Sequence, residues 1–270
     1  FIINMENKLT TSLIGLNALI CGSTSGIGLS TAKEFAESGA SVTLFARNEE
    51  KLKNTLSLLA NSDDQKHQYL IGDFNNPESI KEIMELHVSS GNKYHVLINN
   101  SGGPKGGPII DADTSEFIET LNRHLICNHV LTQTLLEGMK LLNYGRIINI
   151  ISTSVKEPIQ GLGVSNTIRG AVASWAKTLS IEVGKHGITV NNILPGFTDT
   201  DRLTSLIKAK SQSQGMSEDD ISMGMKKQVP LGRFGSSEET AKAIAFLASS
   251  AAGYINGVSL AVDGGRLSSI

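Results

Sequence analysis

The sequence predicts an α/β protein built on a parallel, doubly wound seven-stranded sheet with helices on both faces. Three observations carry this. Short apolar runs alternate with longer stretches of helical periodicity along nearly the whole chain. The first run, Leu16 to Ile20, enters the turn Gly22-Ser23-Thr24-Ser25-Gly26-Ile27-Gly28, and a helical pattern leaves it. The run Arg146 to Ile151 is so apolar, through Ile147, Ile148, Ile150 and Ile151, that both of its faces must be covered, as in the middle of a parallel sheet.

The turn is the first chemical signal. Gly22 can adopt positive φ, while Gly26 and Gly28 carry no Cβ, so a diphosphate can approach the backbone and the helix can pack close to its strand. The free N–H groups at the helix start attract an anion. A glycine-rich turn alone is equally an ordinary structural turn. Its place, opening a series of strand-helix units near the N-terminus, selects a dinucleotide-binding sheet.

Composition bounds the rest. At 270 residues and 40% hydrophobic content the chain can bury a sizeable core, and no linker divides it, so one domain is expected over residues 13–270 after an extension at 1–12. A formal net charge of -2, with Lys and Arg dispersed, provides no basic patch for nucleic acid and no polybasic membrane anchor. A small-molecule partner is expected. Cys21 and Cys127 lack metal-ligand spacing, so no metal is expected, and they suit a reducing compartment. Phe1 to Asn4 before Met5 reads as an added remnant rather than a signal peptide, no apolar run approaches membrane-spanning length, and the expected location is cytoplasmic.

Taken in order, the first helix ends at a C-terminal glycine cap, Gly39. Ser41 to Phe45 is the second strand, and Ala46-Arg47 follows. An acid there would hydrogen-bond the adenosine ribose and select NAD, whereas an arginine can grip a 2'-phosphate. Arg47 therefore favours NADP over NAD, a solvated surface charge being the alternative. Glu49 to Ala60 reads as a helix and Gln68 to Ile71 as the third strand, followed by Asp73-Phe74. Asp73 reads as an adenine contact or as a cap for the turn before Pro77. Pro77 to Val88 is helical, and Val96 to Ile98 is a buried strand entering Asn99-Asn100-Ser101-Gly102. Four glycines and two prolines make Gly102 to Pro108 a loop. Thr114 starts a long helix to about Lys140, and Ser152 ends the fifth strand. The helix from Ser165 buries Val172, Trp175, Ala176, Leu179 and Val183, and its Gly170, Ala171, Ala173 and Ser174 permit close approach of another helix. Ile188 to Leu194 is the sixth strand. Asp201 to Val229, interrupted by Gly215 and Gly224, reads as a substrate lid of two short helices or as an unordered insertion. A helix from Ser237 to about Leu247 and a strand from Val258 to Val262 complete the chain.

The spacing G-x-x-x-G-x-G at Gly22 to Gly28, the Asn99 to Gly102 element, Ser152, Trp175 to Ser180, Gly187 to Asn191 and Pro195 to Thr200 together resemble the short-chain dehydrogenase/reductase family. The resemblance runs from about Leu13 to Arg266. Cys21 stands where that family usually has Thr, and Ser101 where it has Ala. It implies a Rossmann fold and a cofactor held by Gly22, Ser23, Thr24, Ser25, Gly26, Ile27, Gly28, Arg47, Asp73, Phe74, Asn100, Ser101, Gly102, Arg169, Pro195, Gly196, Thr198 and Thr200. It also implies a homo-oligomer, a tetramer or dimer.

Family catalysis uses an Asn, a Ser, a Tyr and a Lys. Here Ser152 matches, while His124, Ser165 and Arg169 occupy the other three positions. The pattern resembles the 3-oxoacyl-[acyl-carrier-protein] reductase-like branch that lacks the usual Tyr and Lys. A serine hydroxyl is a far weaker acid than a phenol, so Ser165 cannot replace Tyr, and helix N-capping is its favoured reading. Arg169 keeps a positive charge able to hold ribose hydroxyls without exchanging protons. His124 reads as a satisfied structural histidine or as the proton donor, an imidazole titrating near pH 6.5. The resemblance implies an NAD(P)-dependent oxidoreductase interconverting a carbonyl and an alcohol, with an acyl-type substrate among the candidates; the alternative is a dinucleotide-binding sensor or scaffold without turnover.

Overall fold

The computed structural model describes residues 11–62 and 64–269. The expected extension therefore lies outside the described residues except for Thr11 and Ser12. Seven parallel strands form one sheet in the order β3-β2-β1-β4-β5-β6-β7. They are β1 (Asn17–Cys21), β2 (Ser41–Ala46), β3 (Gln68–Ile71), β4 (Val96–Asn99), β5 (Gly145–Ile150), β6 (Ile188–Pro195) and β7 (Ser259–Val262). The order reverses between β1 and β4, and a crevice opens at such a switch point beyond the carboxyl ends of the strands.

Side-chain alternation builds two cores. Along β1, Ala18 and Ile20 face the layer of helices α1 (Gly26–Glu37) and α2 (Glu49–Leu56), while Leu19 and Cys21 face that of α3 (Pro77–Ser89). Val96 and Ile98 of β4 join the first core and Leu97 the second, and all three are fully buried. Each such side chain contributes about 1.5–3 kcal/mol relative to leaving it exposed.

Helix α1 stops where expected: Gly39 takes φ +93° and its N–H donates to the Ala36 carbonyl at 3.0 Å. Helix α2 ends earlier than expected, at Leu56, because Leu58 and Leu59 turn tightly back through bonds to the Thr55 and Leu56 carbonyls, which carries Leu59 into the core.

The long helix is also interrupted. It comprises α4 (Thr114–Leu121), a π-helical turn at Asn122–Ile126 and α5 (Cys127–Leu142). It opens on a capping box between Asp113 and Glu116 and closes on Asn143, whose left-handed φ of 49° terminates the run. The wide turn inserts one residue and re-aims the side chains it carries, His124 among them.

Helix α6 (Gly163–Val183) begins two residues before Ser165. The glycine-rich loop sets that start: Gly107 bridges Leu162, the Gly163 N–H donates to the Gly107 carbonyl, and Gly163 lies directly against Ile109. Residues 201–229 form two ordered helices, α7 (Asp201–Gln214) and α8 (Glu218–Lys227), joined by an apolar cluster of Leu203, Ile221 and Met225. Gly215 ends α7 with φ +66°, but Gly224 lies inside α8 and does not break it. Helix α9 (Ser237–Ala248) packs against α1, where the Ser30 and Ser237 hydroxyls meet at 2.8 Å.

Candidate active site

The turn after β1 is fixed by contacts that admit no side chain. A Cβ on Gly22, at φ +58°, would stand 2.8 Å from the Asn100 carbonyl oxygen, and one on Gly28 would run into the Gly22 carbonyl. Asn100 Nδ2 lies 3.2 Å from the Cys21 and Gly22 carbonyl oxygens and donates to them, tying the turn to the end of β4. Gly26, at φ +50°, faces the Thr200 methyl, 3.2 Å from where a Cβ would be. Thr24 and Ile27 are half-buried and Ser25 is exposed.

Two residues expected at this site serve the fold instead. Ser23 is fully buried, and its hydroxyl oxygen accepts the Phe45 N–H at 3.1 Å, so it joins the turn to β2. Phe74 is buried with its ring centroid 5.2 Å from that of Phe45, making its side chain part of the core. Asp73 is exposed and accepts the Asn75 N–H at 3.0 Å, while Asn76 caps α3. Arg47 is exposed and makes no hydrogen bond or ion pair with any described residue.

The turn after β6 closes the other side. The Gly196 N–H donates to the Val262 carbonyl at 3.0 Å, and a Cβ on Gly196 would stand 2.7 Å from Asp263 Cα. The Thr198 hydroxyl donates to the Gly196 carbonyl and the Thr200 hydroxyl to that of Thr198. Thr200 is also the N-cap residue of α7.

The four expected catalytic residues come from three elements. Ser152, just beyond β5, accepts the Ser154 N–H at 3.0 Å, which leaves its own proton free to be donated. Ser165 is half-buried in the first turn of α6 and its hydroxyl makes no hydrogen bond with a described residue; Leu162 occupies the N-cap, so Ser165 is not the expected cap. Four residues on, Arg169 is buried, and its single side-chain hydrogen bond to a described residue runs from Nη1 to the Ile150 carbonyl at 2.5 Å. Burial, and then the neighbouring charge of Arg202, lower its pKa to about 10, and it stays charged at neutral pH.

His124 is 3% exposed, with Nδ1 2.8 Å from the Ser101 hydroxyl and Nε2 without a hydrogen-bond partner among the described residues. Burial first, then the charges of Arg169 and Arg123, push its pKa well below 6.5. An imidazole titrating in the neutral range is thus corrected to one that stays neutral there, and it cannot donate as an imidazolium.

Two arginines were not anticipated from the sequence. Arg202, in the first turn of α7, donates from Nη2 to the Pro104 carbonyl at 2.7 Å. Its Nη2 and that of Arg169 lie 3.7 and 3.9 Å from the point where a Gly103 Cβ would stand. Arg123 donates from Nε and Nη2 to Asn75 Oδ1 and from Nη1 to the Gly102 carbonyl. Only their positions in the folded chain reveal these residues; nothing in the spacing of Arg202 ties it to a loop 98 residues earlier.

A parallel sheet of this order, with a glycine-rich turn at its switch point, is the architecture of nucleotide-binding α/β proteins. A family model described as enoyl-(acyl carrier protein) reductase matches residues 22–266. The NADPH-dependent reductase BacG of Bacillus subtilis is 30% identical over 258 residues, covering 94% of this chain and 98% of that protein. The 3-oxoacyl-[acyl-carrier-protein] reductase FabG of Haemophilus influenzae is 32% identical over 251 residues, covering 93% and 98%. Among solved structures, L-sorbose reductase from Gluconobacter frateurii, complexed with NADPH and L-sorbose, superposes with a TM-score of 0.90 at 29% identity, covering 97% of this chain and 100% of that one. The chain belongs to the short-chain dehydrogenase/reductase family.

The lowered His124 pKa has a thermodynamic consequence. Below its ordinary pKa of 6.5 the unfolded chain takes up a proton that the folded site refuses. The stability present above that pH is lost as pH falls toward the depressed folded value. His87 and His95 shift in the same direction through burial, so His124→Asn is expected to remove part of the acid-side loss. Urea unfolding of both proteins between about pH 7.5 and about pH 5 checks this; an unchanged pH slope would show that His124 does not carry the effect.

Proposed function

We propose that this protein is an NADP(H)-dependent oxidoreductase that interconverts a carbonyl and an alcohol, and that its site works by fixed charge rather than by a phenol acid. The observation that carries the reading is a glycine-rich turn at the switch point and, at the end of the neighbouring strands, a serine hydroxyl and a buried guanidinium. The chain has the features a dinucleotide requires. A Cβ on Gly22 or Gly28 would collide with Asn100 or the Gly22 carbonyl and one on Gly26 would crowd Thr200, so the turn needs its glycines, and Arg47 stands after β2 with no hydrogen bond or ion pair to a described residue. In this reading the N-terminus of α1 receives the diphosphate, Arg47 the 2'-phosphate, and Asp73 lies by the adenine. Asn100, Ser101 and Gly102 line the ribose, Pro195, Gly196, Thr198 and Thr200 border the nicotinamide carboxamide, and Arg169 meets the ribose hydroxyls. When bound, the reduced nicotinamide supplies a hydride to the carbonyl carbon.

Ser152 donates its hydrogen bond to the carbonyl oxygen, and Arg169 stabilises the negative charge that develops there. Water supplies the proton, since Ser165 is too weak an acid and His124 is held neutral. Helices α7 and α8 act as the lid. BacG is named as NADPH-dependent and L-sorbose reductase is described with NADPH bound, which supports the cofactor and the reaction class.

Turnover of carbonyl compounds with NADPH, followed by loss of the reduced-nicotinamide absorbance, tests the reading. Ser152→Ala is expected to lower kcat about 10²- to 10³-fold, as for loss of one oxyanion donor, with cofactor affinity retained. Cofactor binding without any hydride transfer across aldehydes, ketones and oxo acids would favour a non-catalytic sensor.

Arg47 generates a separate expectation. One charge-assisted contact to the 2'-phosphate corresponds to NADPH binding about 10- to 100-fold tighter than NADH. Arg47→Asp is expected to reverse that order in calorimetric titrations. Equal binding of the two cofactors to the unaltered protein would contradict the assignment.

A further inference from the structure

Arg169, which is buried, and Arg202, which is exposed, form a cationic pair with no ion-pair partner among the described residues. Their guanidinium groups flank one point beside Gly103, and each makes a single hydrogen bond, to the Ile150 and Pro104 carbonyls respectively. A guanidinium carries five N–H donors, so most of theirs are unused. The four ion pairs of the described residues, Lys53–Glu49, Lys81–Glu78, Lys140–Glu137 and Arg233–Glu239, all lie elsewhere. The third arginine by this loop, Arg123, is satisfied by the neutral Asn75 amide and the Gly102 carbonyl. Gly103 has no side chain to keep the two guanidinium groups apart from the space beside them.

Burying a positive charge beside another is unfavourable unless an anion joins them. Burial and Arg202 together lower the Arg169 pKa, the response of a cation lacking a negative partner.

Two anions could fill the gap, the cofactor diphosphate or a charged group on the substrate. The diphosphate already has the glycine-rich turn and the N-terminus of α1. Arg202 instead reaches to Pro104, in the loop that follows β4 and contacts the start of α6, the helix bearing Arg169. We propose that the substrate carries a carboxylate near its reacting carbon, held by Arg202 with Arg169 behind it, so that the site takes oxo acids and their hydroxy-acid products. This rests on the oxidoreductase reading but is tested by binding alone. Selectivity comes from the guanidinium fork, which matches a planar carboxylate through two parallel hydrogen bonds and leaves a neutral ester with neither the charge nor the paired acceptors.

Calorimetric titration of the protein saturated with NADP⁺ avoids turnover. Short-chain 2-oxo and 3-oxo acids are each compared with their own methyl ester. At least one acid is expected to bind about 10-fold or more tightly than its ester. Arg202→Gln should erase that difference, and Arg202→Lys, which keeps the charge, should restore part of it. The NADP⁺ affinity should stay the same in both variants, which also shows that they are folded. Acids and esters binding alike, or no acid binding at all, would overturn the proposal. Loss of NADP⁺ affinity in Arg202→Gln would assign the arginine to the diphosphate and overturn it equally. Selective acid binding with no NADPH oxidation would leave the carboxylate site standing and remove the oxidoreductase reading instead.

Discussion

The closeness of the turn after β1 to the end of β4 is the constraint on which the site depends. The Gly22 and Gly28 backbones pass where no Cβ fits, and Asn100 joins the two strand ends through two carbonyls. Because β1 and β4 are the strands between which the sheet order reverses, this contact also sets the floor of the crevice. The residues of the proposed site are arranged around that floor. Ser101 and the loop to Pro108 leave β4, Ser152 leaves β5, Thr198 and Thr200 leave β6, and Thr200 returns to touch Gly26.

Within that frame, the proposed site relies on electrostatics where the family uses proton chemistry. A phenol and an amine would share and move a proton; a short serine and a guanidinium do not. The guanidinium at position 169 is buried, hydrogen-bonded once, and accompanied by a second positive charge. Burial holds the nearby imidazole neutral, and the arginines add to this, since protonating His124 would place a further positive charge beside Arg169 and Arg123. The same charges that disfavour a proton on His124 also favour an anion, so in the proposed site the neutral imidazole and the arginines express one electrostatic arrangement.

Much of the fold was legible in the sequence because parallel buried strands leave long apolar runs and glycine ends its helices where φ must be positive. The β1 to β7 strands fall within a residue or so of their expected limits, and Gly39 and Gly215 end helices as expected. What was not legible depends on contacts between distant segments. Helix α6 starts at Gly163 because a loop some 55 residues earlier docks on it, which no local capping signal encodes. The π turn at Asn122–Ile126 has no periodicity of its own to detect over five residues. Ser23 looked like part of a phosphate loop but bonds β2, and Phe74 looked like a neighbour of the adenine but fills the core. The His124 position was readable, its titration was not, since the shift comes from burial and from arginines brought near only by folding. Arg202 carried no signal at all until Pro104 was beside it.

The pH dependence of hydride transfer probes the central claim, that catalysis here rests on fixed charge rather than on a titrating side chain. With a turned-over substrate in hand, kcat is expected to be nearly level between about pH 6 and about pH 9, because Arg169 stays charged and His124 stays neutral throughout. An inflection near pH 6.5 that disappears in His124→Asn would contradict it and return the proton to the histidine.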